Sequence, residues 1–146
     1  MPLSHDRPPG VDDATVSATG TISEALEYLV RARGHLYSFH QLMGRVDLLL
    51  GQGADELEAA GHPQVADDLR TEIVGRNVIE GRWTFQLVEE FDDTYYRPAE
   101  AAEQRIRDAL LAGRRHVFES EMKDERRTAG ASHHERRPRS AGDPSA

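Results

Sequence analysis

Apolar residues recur along the first half of the chain at alternating spacings of three and four positions. The pattern begins after Thr21 and Glu24, whose spacing is that of a capping box at a helix N-terminus. Its members are Ala25, Leu29, Ala32, Leu36, Phe39, Met43, Val46, Leu50, Gly53, Leu57 and Ala60. This heptad pattern predicts one long helix over residues 22–60, ended by Gly61. Such a stripe forms either a seam inside a single-chain bundle or a dimerising coiled coil.

Three further segments have apolar residues at helical spacing. Pro63, at a first helical position, begins a short helix that ends at Gly75, and a third helix is predicted over residues 82–96. Pro98 is expected to break or kink that helix, and Gly113 is a point at which the last long helix can split. No segment alternates with period two, as strands do. The pattern therefore predicts an all-α fold, an antiparallel helical bundle with two long helices and two shorter ones.

The heptad also sorts polar residues onto the two flanks of the long helix. His35 and His40 are five positions apart, which at ~100° per residue separates them by about 140° around the helix. They therefore cannot bind one metal ion from a straight helix. One flank carries Tyr28, His35, Leu42 and Leu49, and the other carries Leu26, Arg33, His40 and Asp47.

Composition separates the middle of the chain from its two ends. All nine aromatic residues lie between residues 21 and 128. The ends are rich in Pro, Gly, Ser and charged residues, so they cannot bury enough apolar area to offset the entropy of ordering. We therefore predict a helical bundle domain over residues 21–128, between a disordered N-terminal tail of residues 1–20 and a disordered C-terminal tail of residues 129–146.

The chain has a formal net charge of -8 and no cysteine. The lack of cysteine excludes disulfides, a cysteine nucleophile and cysteine-ligated metal sites. The negative charge makes nucleic acid and anionic membranes unfavourable partners. No apolar run reaches the ~20 residues of a membrane-spanning helix, and the first twenty residues lack the apolar segment of a secretory signal. The sequence thus predicts a soluble cytoplasmic protein.

Histidine and carboxylate side chains are the candidates for a divalent metal site. Glu89 and Asp92 lie beside the apolar face of the predicted third helix, and His116 and Glu119 share a face of the last helix. With His40 from the long helix, they form a possible set of ligands in the interior of the bundle. The alternative interpretation is that the acidic residues form a solvated face.

A partly buried carboxylate needs a cation or a hydrogen-bond donor beside it. Arg33, Tyr37 and Arg82 are candidates for that role, together with His40 and Arg76. They would form either a structural ion-pair network or a polar pocket with perturbed pKa values. The only tryptophan, Trp83, is expected to anchor the core.

No nucleophile elbow and no phosphate-binding loop occurs in the sequence, so no catalytic residue is predicted. The sequence favours a non-enzymatic interaction protein, or one that self-associates into a homo-oligomer through its long helix. A helical bundle that binds a metal or small ligand is the alternative. Arg33 and His40, with six residues between them, also resemble the Arg-x(4–6)-His motif of HEPN-type helical ribonucleases. That resemblance implies RNA cleavage by this pair, although Gly34 stands where the family usually has a small polar residue.

Overall fold

The computed structural model describes residues 5–136, which form helices joined by loops. The elements are α1 (Asp13–Ala59), α2 (Pro63–Glu72), α3 (Thr84–Phe91), a π-helical turn (Asp92–Tyr96), α4 (Arg97–Leu111) and α5 (Val117–Arg126). Residues 84–111 are continuously helical, so the chain has two long helical stretches and two short ones. The all-α prediction is confirmed. Among residues 5–136, no helix combines the length and the apolar composition needed to cross a membrane.

Helix α1 begins nine residues earlier than the pattern predicted, at Asp13 instead of residue 22. The side chain of Asp12 accepts a hydrogen bond from the Thr15 N–H at 2.8 Å, so Asp12 and not Thr21 caps the helix. Burial of Val16 in the first turns stabilises this extension. Residues 13–20 are therefore helical and not part of a tail. Of the two predicted tails, residues 1–4 and 137–146 lie outside the described residues, and the predicted domain end at residue 128 stays a prediction.

Pro98 does not break the helical stretch, contrary to one of the two outcomes predicted from its sequence position, and a kink there stays a prediction. The π-helical turn comes immediately before it, and the Arg97 N–H bonds to the Asp92 carbonyl, five residues back. A proline inside an α-helix collides with the carbonyl four residues earlier and lacks the N–H that would bond to it. The wider π turn relaxes the hydrogen-bond ladder at that point, so the chain continues as helix α4.

Two glycines end helices as the sequence predicted. Gly61 has a φ of +89° and Gly113 a φ of +72°, both in the left-handed region that favours glycine. Gly61 follows α1, where the His62 N–H bonds to the Leu57 carbonyl at 2.9 Å. Gly113 follows α4 and separates it from α5. Both glycines thus act as helix C-caps.

The chain forms two compact units, and α1 and α4 contribute residues to both. Within the described residues, the terminal unit comprises residues 5–25 with 102–136, and the central unit comprises Leu26–Ala101. Val16, Leu111 and Val117 form the core of the terminal unit, with Val11 packed against them.

The chain before α1 is attached to α5 within the terminal unit. The guanidinium of Arg7 donates hydrogen bonds to both carboxylate oxygens of Glu121, at 2.8 and 3.0 Å. It also contacts Asp13 at the start of α1, at 2.6 Å. Such a bidentate pair fixes both the position and the orientation of the segment.

Candidate interaction surface

Within the central unit, one flank of α1 forms hydrogen bonds with residues 75–92, which run back along this helix. Three contacts join Arg33 Nε to Asp92 Oδ1 (2.7 Å), His40 Nδ1 to Thr84 Oγ1 (2.6 Å) and Gly75 N to Asp47 Oδ1 (2.7 Å). The α1 residues Arg33, His40 and Asp47 are seven positions apart, and we call them the polar ladder. As the residue numbers in α1 increase, the residue numbers of the partners decrease from 92 to 75. Residues 75–92 therefore run antiparallel to α1.

Arg33 is the most heavily engaged residue of the ladder. Its second bond to the Asp92 carboxylate measures 3.0 Å, and its guanidinium lies 4.8 Å from the ring centroids of both Tyr37 and Tyr96. These hydrogen bonds hold the pKa of the Asp92 carboxyl below its usual range. The guanidinium is thus occupied by one carboxylate and two aromatic rings. This is the geometry of a structural ion pair.

The two carboxylates predicted to be partly buried behave differently. Asp92 is buried, whereas Glu89 is exposed, so the prediction was wrong for Glu89. The prediction took Phe85 as part of the buried face, but Phe85 is exposed, and Thr84, Val88 and Asp92 face α1 instead. Glu89 lies one position after Val88, which at ~100° per residue turns it away from that face.

The other predicted metal ligands have protein partners. His40 Nδ1 lies against Thr84, as described above. His116 has a φ of +57° at the N-cap of α5, and its Nδ1 lies 2.9 Å from Glu119 Oε2. His116 and Glu119 are therefore brought together, and both are exposed. A divalent metal bound by His40, Glu89, Asp92, His116 and Glu119 stays a prediction.

Arg82 and Trp83 lie at the surface immediately before α3. Arg82 forms an ion pair with Glu90. Trp83 is exposed and contacts the ring of Phe85, with 5.4 Å between centroids, so the expectation of a core tryptophan was wrong. Trp83 precedes the first helical residue of α3, and its backbone N–H donates a hydrogen bond to the Gln86 side chain. That position serves the capping of the helix and leaves the indole outside the core.

The opposite flank of α1 is apolar and exposed. Three large side chains on this flank are exposed: Tyr28 (61%), Leu42 (63%) and Leu49 (46%). They are separated by multiples of seven positions, so they lie on one face of the helix. On the same face lie three further exposed residues, of which Phe39 and Val46 belong to the heptad pattern and His35 to the flank of Tyr28. We call the whole set the exposed stripe: Tyr28, His35, Phe39, Leu42, Val46 and Leu49. The half-buried seam residues Leu29, Leu36, Met43 and Leu50 separate it from the polar ladder.

Charged residues are scarce along the exposed stripe. Residues 34–44 contain none at all, and residues 28–46 contain no Asp or Glu, in a chain of which 30% is charged. Arg31 and Arg45 lie at one margin of the stripe, and Arg31 lies over the Tyr28 ring at 5.6 Å. An exposed apolar face with few charges has the composition of a buried interface centre.

The sequence contained the signal for both faces of α1. The seven-residue repeats that separate the His35 flank from the His40 flank correspond to the exposed stripe and the polar ladder. It contained no signal for the identity of the ladder partners, because these come from distant parts of the chain. The comparisons with known proteins add no information on function: no protein-family model, curated protein or solved structure matches this chain.

Proposed function

We propose that this chain is a non-enzymatic interaction protein that binds a partner helix along the exposed stripe. The observation that carries the proposal is the contiguous apolar face from Tyr28 to Leu49. Its spacing of three and four positions is that of a helix–helix seam. Scattered exposed apolar residues need no explanation, but a contiguous exposed face of this kind marks an interaction site.

The distribution of apolar residues between surface and core supports this function. Among residues 5–136, eighteen large apolar side chains are exposed, whereas the buried apolar residues number six and include two alanines. A small domain with such a limited core gains stability when a partner covers its apolar surface.

Site-specific photo-cross-linking tests the proposal. A photoreactive amino acid is placed at position 42, within the stripe, in the full chain expressed in the cells that encode it. Position 48 is the matched control, because Leu48 is a leucine of similar exposure, 67% against 63%. Leu48 lies six positions further along α1, which at ~100° per residue is about 120° away around the helix. We expect covalent adducts from position 42 and none from position 48. Equal labelling from both positions, or none from position 42, would contradict the function.

A further inference from the structure

We infer that the occupant of the exposed stripe is a second copy of this chain, so that two α1 helices pair along their stripes. The inference rests on the proposed function and names its partner. It follows from three properties of the stripe: its spacing, its charge and its size.

The spacing of the stripe requires a long helical partner. From Tyr28 to Leu49 the stripe covers 22 residues, or ~33 Å of helix at ~1.5 Å per residue. Among the described helices, α2, α3 and α5 have ten residues or fewer, and the stretch 84–111 is interrupted by its π turn. Helix α1 alone, with 47 residues, presents an uninterrupted stripe of the same spacing. A second copy therefore supplies a matching surface, and a two-fold axis closes the assembly at two chains.

The charge of the stripe is that expected where this acidic chain meets itself. Two molecules of net charge -8 repel each other over most of their surfaces. The stretch from Tyr28 to Val46 is free of acidic residues and holds Arg31, Arg33 and Arg45, of which Arg33 is neutralised by Asp92. Two copies that meet at this face bring no acidic side chains of that stretch together, so the repulsion between the acidic chains is smallest there.

The size of the stripe determines how strong the pairing is. Stable interfaces bury about 1,200–2,000 Å² in total, and a helix pair of ~33 Å is near the lower end of that range. We therefore expect a reversible dimer, in which the fraction of paired chains rises with concentration, rather than an obligate one.

The mass of the purified full chain in solution tests the inference. Light scattering and sedimentation between about 1 μM and about 1 mM cover the range of weak association. We expect the mass to rise from 16.3 kDa towards twice that value. Leu42→Glu places a charge in the stripe and should weaken pairing about tenfold or more, whereas Leu48→Glu should leave it unchanged. Circular dichroism of both variants verifies that they fold, which is expected because both positions are exposed.

The outcomes separate this inference from the proposed function. A position-42 adduct with the mass of two copies, together with a concentration-dependent mass, supports both. A position-42 adduct with a different protein, together with a monomer at every concentration, overturns the second copy and leaves the interaction function standing. A monomer without any adduct specific to position 42 overturns both. Equal weakening by Leu42→Glu and Leu48→Glu also overturns the pairing along the stripe.

Discussion

The carboxylate of Asp92 shows how a single residue depends on its surroundings. It is buried at the start of a π turn, and the guanidinium of Arg33 donates a hydrogen bond to each of its two oxygens. A buried carboxylate without such a partner would be costly, so the ion pair with Arg33 offsets the burial of Asp92. Its neighbour Asp93 pairs with Arg97 at the surface, where solvent screens the interaction.

Stability should therefore decrease in acid through Asp92. The pKa of Asp92 is lower in the folded chain than in the unfolded one, because Arg33 stabilises the ionised form. The resulting stabilisation is present above the ordinary carboxyl pKa of about 3.9 and is lost as the pH falls through the lower folded pKa. We expect Asp92→Asn to lower the Tm by a few degrees at pH 7 and to reduce the fall in Tm with acidification.

Thermal unfolding followed by circular dichroism between about pH 7 and pH 2 measures this effect. Asp93→Asn is the matched control, since it removes the same charge from an adjacent, exposed ion pair. Its Tm profile should follow that of the unmodified chain. Identical profiles for Asp92→Asn and Asp93→Asn would show that the Arg33 pair does not stabilise the fold.

Two glycines of α1 should respond in opposite ways to replacement by alanine. A Cβ atom at Gly20 would lie 2.9 Å from Cβ and Cγ of Phe118, so Gly20→Ala forces α5 to shift. We expect a loss of about 1–3 kcal/mol in the free energy of unfolding. No atom lies within 4 Å of a Cβ at Gly44, so Gly44→Ala should gain up to about 1 kcal/mol through helix propensity. Urea unfolding measures both, and changes of the same sign would contradict the close contact at Gly20.

At the scale of elements, α1 presents two different faces, the polar ladder and the exposed stripe. The polar ladder binds residues 75–92 of the same chain, and we propose that the exposed stripe binds a partner. The heptad seam predicted from the sequence is thus partly intramolecular, because Leu29 and Leu36 are half-buried, and partly exposed.

Asp47, the last residue of the polar ladder, should contribute measurably to the stability of the central unit. Asp47 accepts a hydrogen bond from the backbone N–H of Gly75, in the loop that follows α2. Asp47→Ala should reduce the free energy of unfolding by about 1 kcal/mol. Gln52→Ala is the control, because Gln52 bonds to Glu56 one turn away on the surface of the same helix, and its effect should stay within about 0.5 kcal/mol. Equal effects in urea unfolding would contradict a role for the ladder.

The helices were predicted better than their junctions. The periods of apolar residues located the helical segments, although residues 84–111 form one stretch where a break or kink was predicted at Pro98, and Gly61 and Gly113 marked two helix ends. The start of α1 was missed because Asp12 and Val16 act through a cap and a long-range core contact. The π turn before Pro98 was missed because the hydrogen-bond pattern of a turn has no distinct spacing of apolar residues.

At the scale of the whole molecule, the acidity of the chain opposes any self-association. Salt screens repulsion between exposed charges and does not weaken apolar contacts, so the proposed dimer should be favoured by salt. We expect its dissociation constant to fall several-fold between about 50 mM and about 500 mM NaCl, where the Debye length becomes short. Sedimentation velocity measures this, with Leu42→Glu as the reference in which pairing is weakened. A dissociation constant that rises with salt would instead indicate an interface held by ion pairs.

The sequence by itself determined the all-α fold and the two faces of α1, because both follow from the local geometry of a helix with 3.6 residues per turn. Tertiary structure alone decided which face is covered. Arg33, His40 and Asp47 find partners 59, 44 and 28 positions away, and no local pattern encodes such pairings. The burial of Asp92, the exposure of Trp83 and the exposure of the stripe all result from that choice of covered face.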